Sequence, residues 1–129
     1  MTTSLHLPAL PGAPVACDMS TAEDTPDERV REYARLFERT LLCHERRTDS
    51  VVLTFRAGAG TREAIEDLAR REAACCPFLD YRIETVGNEV VWTITGDGRA
   101  DANLTLDAFY AVPDHPGVDF AGLLDRLRD

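Results

Sequence analysis

Two alternating segments, Tyr81–Val86 and Val90–Thr95, flank Gly87-Asn88-Glu89 and read as a β-hairpin. Val90, Trp92 and Ile94 share one face of the second strand, and Ile83 belongs to the same face of the first. Arg82, Glu84, Thr93 and Thr95 take the other side. A sheet of this kind has one dry face and one wet face, and the dry face must be covered by amphipathic helices. That requirement sorts the rest of the chain.

Val51–Arg56 supplies another strand, with Val51, Leu53 and Phe55 inward and Thr54 and Arg56 outward. The best-marked helix starts at Thr25-Pro26-Asp27-Glu28. An N-cap threonine, a proline at the first helical position and a glutamate at the third form a capping box. Val30, Tyr33, Ala34, Phe37 and Leu41 then fall on one stripe, and His44 continues it, so this helix is expected to fade near Arg46-Arg47. Thr61 is the expected cap of a second helix, whose face carries Ile65, Leu68, Ala69, Glu72 and Cys76. Pro77 disfavours helical backbone at Cys76 and ends it there. Asp101–Ala111, with Leu104, Ala108 and Phe109 inward, and a short final helix through Phe120, Leu123, Leu124 and Leu127 complete the reading.

The resulting order, α-β-α-β-β-α-α, predicts a two-layer α+β domain. Its sheet would be small, three-stranded and mixed, built on a β-α-β-β core with helices packed on one face. Residues 1–16, with Pro8, Pro11 and Pro14, read as an extended or flexible arm, and residues 17–129 as a single domain.

The 129 residues carry 23 acids against 14 bases, a formal charge of −9. That balance argues against nucleic acid or an anionic membrane as partner, since both require clustered positive charge. No run approaches the ~20 apolar residues of a membrane span. The N-terminus lacks the basic start and long apolar run of a secretory signal, so a cytoplasmic location is expected. Thiols stay reduced in that compartment. The four cysteines, Cys17, Cys43, Cys75 and Cys76, are therefore expected to be ligands, catalytic groups or inert residues rather than a disulfide framework.

The chemistry concentrates at the end of the second helix. Glu72 falls on an otherwise apolar face, three residues before Cys75 and four before Cys76, the spacings at which helical side chains meet. A carboxylate there needs a partner or a proton. Arg56 and Arg82 are candidate partners, and an exposed position at the stripe's margin is the alternative. Adjacent cysteines diverge within a regular helix, but Pro77 permits another geometry. As thiolates, Cys75 and Cys76 suit mercury, cadmium, copper(I), zinc or trivalent arsenic. Two are too few for a closed structural zinc site. Cys17 is a third candidate, and sequence separation leaves open whether it arrives. Cys76 also fits as plain core, because cysteine is among the most buried residue types. Cys43-His44 is a weaker ligand pair, His44 reads as a core histidine, and His6 and His115 lie in irregular segments.

A cysteine-bearing loop before the first helix, and a second helix ending in Glu72-x-x-Cys75-Cys76-Pro77-Phe78 ahead of a hairpin, resembles a small bacterial domain. That domain occurs in short proteins, often actinobacterial and mostly without an assigned role. It is also found fused to, or encoded beside, mercury-responsive-type regulators and metal-resistance genes. The match runs from about Cys17 to Ile94, with Cys17 at the upstream cysteine and with Cys43 and His44 outside the pattern. No helix-turn-helix precedes it here, so direct DNA binding is not expected. The resemblance implies handling of thiophilic metal. The leading expectation is therefore a binding protein for Hg, Cd, Cu(I), Zn or As, with Cys17, Cys75 and Cys76 as ligands and Glu72 accepting a proton. The alternatives are two. One is a thiol-dependent enzyme, organomercurial-lyase-like or redox, with Glu72 and Cys75 as catalytic candidates. The other is a non-catalytic domain that forms a homodimer through its open sheet face.

Overall fold

The computed structural model describes residues 3–128. Its elements in chain order are β1 (Thr3–Leu7), α1 (Pro26–Thr40), β2 (Leu41–Arg46), β3 (Ser50–Arg56), α2 (Thr61–Cys75), β4 (Asp80–Val86), β5 (Glu89–Thr95), α3 (Ala100–Ala111) and α4 (Phe120–Arg128). A 3-10 turn at Val112–Asp114 follows α3. The strands form one sheet in the order β1-β4-β5-β3-β2, every neighbouring pair antiparallel.

The α+β class holds, but the expected three-stranded mixed sheet does not: among the described residues the sheet has five strands and no parallel pair. Both unforeseen strands have a physical explanation. By sequence Leu41–Arg46 continues the first helix, because Leu41 and His44 extend its apolar stripe. Six residues fit either period, and length alone cannot choose. Here α1 ends at Thr40, Leu41 turns to extended backbone, and its N–H still reaches Phe37 O. The edge of β3 then recruits the segment as a strand, with a register break between Leu41 and Cys43. Leu42 stands exposed beside that break.

At the opposite edge, Thr3–Leu7 lies within the proline-bearing segment and shows only two inward apolar positions. Leu5 pairs with Ile83 and Leu7 with Tyr81. His6 Nε2 lies 2.6 Å from Asp80 Oδ2, tying this strand to the start of β4.

One row of side chains crosses the whole sheet on its inner face: Leu5, Ile83, Trp92, Leu53 and His44. The central three are at most 1% exposed. The helices cover this face through Tyr33, Ile65, Leu68, Leu106, Phe109 and Leu123. Arg82, Glu84, Val91 and Thr93 lie on the other face, partly or fully exposed.

The helix starts follow two different rules. Thr25 Oγ1 accepts from Glu28 N–H at 3.1 Å while Glu28 Oε1 accepts from Thr25 N–H at 3.0 Å, so the capping box forms as expected. In α2, by contrast, Thr61 is the first helical residue. The cap is Gly60, at φ +79, a conformation open to glycine at little steric cost. In α3 the buried stripe runs through Ala102, Thr105, Leu106, Ala108 and Phe109, so Leu106 takes the inward place expected of Leu104.

The sheet core predicts its own sensitivity. Phe55 is fully buried and stacks on Phe37 with ring centroids 6.0 Å apart. Phe55→Ala is expected to lower unfolding free energy by about 3–5 kcal/mol, read from urea midpoints at constant m.

Candidate functional site

Pro77 sets the local geometry. It denies Cys76 a helical conformation, and Cys76 sits at φ −126, ψ 68 while its N–H still bonds Glu72 O at 2.6 Å. Cys75 therefore belongs to the last helical turn and Cys76 to the turn that leaves it. The Tyr81 hydroxyl donates to Cys76 O at 3.0 Å, fixing that turn from the adjacent strand. Both cysteines are buried.

The segment before α1 passes across this helix end. Leu10 N–H bonds Pro77 O, and Asp18 N–H bonds Cys75 O, each at 2.9 Å. Asp18 Oδ1 accepts from Ser20 N–H at 2.8 Å, shaping the loop that carries Cys17. Cys17 and Cys76 are joined as a disulfide across a separation of 59 residues, with Cα atoms 4.5 Å apart. The expectation of unpaired thiols thus fails for this pair. Cys75 is free and buried, and Cys43 is free and exposed.

Arg29 enters from the first turn of α1 and organises the polar part of the site. Its Nη1 donates to Glu72 Oε1 at 2.8 Å and lies 3.5 Å from Cys75 Sγ. Its Nε and Nη2 form a fork on Asp24, at 2.8 and 2.6 Å. Arg71 reaches the same Asp24 at 3.0 Å and also pairs with Glu32 and Asp67. Arg29 and Glu72 are each 5% exposed, so this is an ion pair removed from water. Glu72 does not use Arg56, which donates to Arg39 O, or Arg82, which is exposed on the open sheet face.

The two carboxyls that Arg29 holds respond differently. The hydrogen bonds from Arg29 keep Asp24 ionised down to about 2. Burial pushes the Glu72 carboxyl above its ordinary value, against the attraction of Arg29. The Tyr33 phenol is raised as well, chiefly by burial and then by the nearby Glu72 charge. Its hydroxyl makes no hydrogen bond of normal geometry, although it is close enough to Glu72 for the two to interact.

These groups line a cavity of about 260 Å³. Cys17, Cys75, Cys76, Arg29, Glu72 and Tyr33 contribute its reactive and polar lining. The remainder is apolar, from Met19, Val30, Phe109, Val118, Phe120 and Leu124 among others. The cavity is thus shared by the N-terminal segment, α1, α2, α3 and the start of α4.

All three cysteines that the sequence singles out come to this cavity, together with Glu72. Cys43 and His44 do not. Cys43 is exposed on the edge strand, while His44 packs on Tyr110 at 4.6 Å with Nε2 3.7 Å from Asp114. With Cys17 and Cys76 joined, no three His, Cys, Asp or Glu side chains among the described residues are grouped to hold a metal ion. Sequence reasoning missed Arg29, Asp24 and the α3–α4 walls. Arg29 had a signal: it stands one turn before Tyr33, a charge on the buried stripe of α1 opposite a carboxylate on the buried stripe of α2.

The fold and the site together define a small α+β domain with a cysteine-bearing cavity anchored by a buried arginine–carboxylate pair. No family model, curated protein or solved structure matches this chain.

The shifted carboxyls predict a pH dependence. Glu72 titrates higher folded than unfolded, so the folded chain holds a proton that the unfolded chain has released. The associated stability is fully present below the unfolded value near 4.5 and declines as pH rises through the folded value. Asp24 acts oppositely, losing its contribution as pH falls from 3.8 toward about 2. Urea unfolding of the wild type should show declining stability above pH 4.5 from this carboxyl, and Glu72→Gln should remove that component. An unchanged slope in the variant would remove Glu72 as its source. Arg29→Leu, which strands a buried carboxylate, should cost about 3–5 kcal/mol at neutral pH.

Proposed function

We propose that the reduced form of this protein binds a thiophilic metal or metalloid, with Cys17 and Cys76 as one pair of donors and Cys75 as a third. The observation that carries this reading is the arrival of Cys17, from 59 residues away, within bonding distance of Cys76 at the cavity that Cys75 also lines. A low-molecular-weight thiol would open the disulfide by exchange, leaving two thiols on the protein and one disulfide on the reductant. Each thiol then loses its proton as a soft ion binds, so apparent affinity rises with pH. Sulfur-only donor sets favour mercury, cadmium, copper(I), zinc and trivalent arsenic over hard cations. Arg29 Nη1 lies 3.5 Å from Cys75 Sγ, which places a fixed cation beside the third donor. The motif resemblance to domains encoded beside metal-resistance genes points the same way.

The disulfide itself favours a second reading, in which Cys17 and Cys76 cycle between dithiol and disulfide against an external thiol and the metal is incidental. Both readings use the same residues.

Titration of phosphine-reduced protein with Hg(II), Cd(II), Cu(I) and Zn(II), followed by native mass spectrometry, separates them. One ion per chain is expected, with affinity falling by at least about ten-fold in Cys17→Ser and in Cys76→Ser and unchanged in Cys43→Ser. No stoichiometric binding, or binding indifferent to Cys17→Ser and Cys76→Ser together, overturns the metal reading. Catalytic turnover of a disulfide substrate in that case establishes the redox one.

A further inference from the structure

Three sulfurs alone would need only a tight pocket, yet these sulfurs border about 260 Å³ of largely apolar space. The pocket opens to solvent, and covering its apolar wall with an apolar group is favourable, so it suits a ligand with an organic part. An apolar cavity of roughly 150 Å³ is enough to take benzene. The wall residues Met19, Val30, Phe109, Val118, Phe120 and Leu124 present hydrocarbon, thioether and aromatic surface, and offer no side-chain hydrogen-bond donor to a hydrated inorganic ion. Of the charged side chains in the lining, both are already engaged, and the Tyr33 hydroxyl is the polar group left without a hydrogen bond. Arg29 is divided between Asp24, Glu72 and Cys75, and Glu72 is held by Arg29.

We infer that the ligand is a soft element carrying one organic group, and specifically a trivalent arsenic with a single aryl or alkyl substituent. This rests on the metal or metalloid reading above and names the substrate class of the same site. Cys17 and Cys76, with Cα atoms 4.5 Å apart, form a close dithiol once reduced. Two sulfurs satisfy two of the three bonds of trivalent arsenic, and the third bond carries the organic group into the apolar cavity. The step balances without a redox partner. An organoarsonous acid, R–As(OH)2, exchanges two As–O bonds for two As–S bonds, the two thiol protons leave with the hydroxides as two waters, and arsenic stays trivalent. Inorganic arsenite, by contrast, has no organic group to fill the cavity and needs a third sulfur. Cys75 can supply that third sulfur, so arsenite binds too but leaves the apolar wall uncovered.

The test compares phenylarsonous acid with arsenite on the full-length chain, reduced with a phosphine, by intact-mass titration. Because aryl and inorganic arsenic differ in intrinsic dithiol affinity, the ratio of their dissociation constants is taken relative to the same ratio for a small free dithiol. The protein is expected to favour the phenyl species by at least about ten-fold over that reference, with one arsenic per chain and a mass gain of the phenylarsenic group less two hydrogens. Val118→Trp, which fills the cavity from the segment before α4, should erase the preference while leaving arsenite binding in place. Ala121→Trp is a second filling variant at the same wall, and the wild-type comparison stands even if neither variant folds. A wild-type ratio equal to that of the free dithiol, or a preference undiminished in a folded filling variant, overturns the organic-substituent inference and leaves the binding reading intact. If neither reagent binds the reduced chain, the binding reading fails and this inference fails with it.

Discussion

A single buried cation, Arg29, holds the site together. Its guanidinium reaches Asp24 in the loop before α1, Glu72 on α2 and the sulfur of Cys75. Taking such a pair out of water is expensive, and replacing both partners with hydrocarbon often leaves a protein equally stable or more so. Its presence here therefore argues for placement rather than for stability. One side chain fixes the spacing between α1 and α2, orients the first turn that the capping box has already formed, and holds charge at the polar lining of an otherwise apolar cavity. Arg71 extends the network outward through Asp24, Glu32 and Asp67, so the inner pair is braced by a shell closer to solvent.

The second constraint is where α2 stops. Pro77 turns Cys76 out of the helix, and Tyr81 on the neighbouring strand pins the turned backbone. The N-terminal segment, anchored at one end by β1 and at the other by α1, crosses this point and delivers Cys17. A link closing a loop of about 60 residues restricts the unfolded chain, on an entropic account, by roughly 4 kcal/mol. Reduction removes that contribution and exposes two thiols together, which couples the stability of the arm's placement to the redox state of the site. The open sheet face remains wet and plays no part in this arrangement.

Much of this was legible in the residues. The hairpin, the capping box, the stop at Pro77 and the placement of Glu72 on a buried face all follow from local chemistry. The strand Leu41–Arg46 is not legible locally, because the segment satisfies helical and strand periods alike and only the unpaired edge of β3 decides between them. Thr3–Leu7 becomes a strand through pairing with β4, a contact about 80 residues distant that no local pattern encodes. Sequence proximity points to Arg56 and Arg82 as partners of Glu72, whereas the partner, Arg29, comes from α1. The cavity's far wall, from Phe109 to Leu124, depends on how α3 and α4 fold back, which is a tertiary outcome. The convergence of Cys17 with Cys76 belongs to the same category.

Cys17, Cys75 and Cys76 are proposed to act as one soft-ion site. X-ray absorption at the mercury edge, on reduced protein loaded with one equivalent of Hg(II), tests it most directly. In Cys43→Ser the expected first shell is sulfur alone, from three cysteines, and it falls to a single sulfur when Cys17 and Cys76 are also replaced by serine. Nitrogen or oxygen in the first shell of Cys43→Ser, or a sulfur count unchanged by the further double replacement, contradicts it.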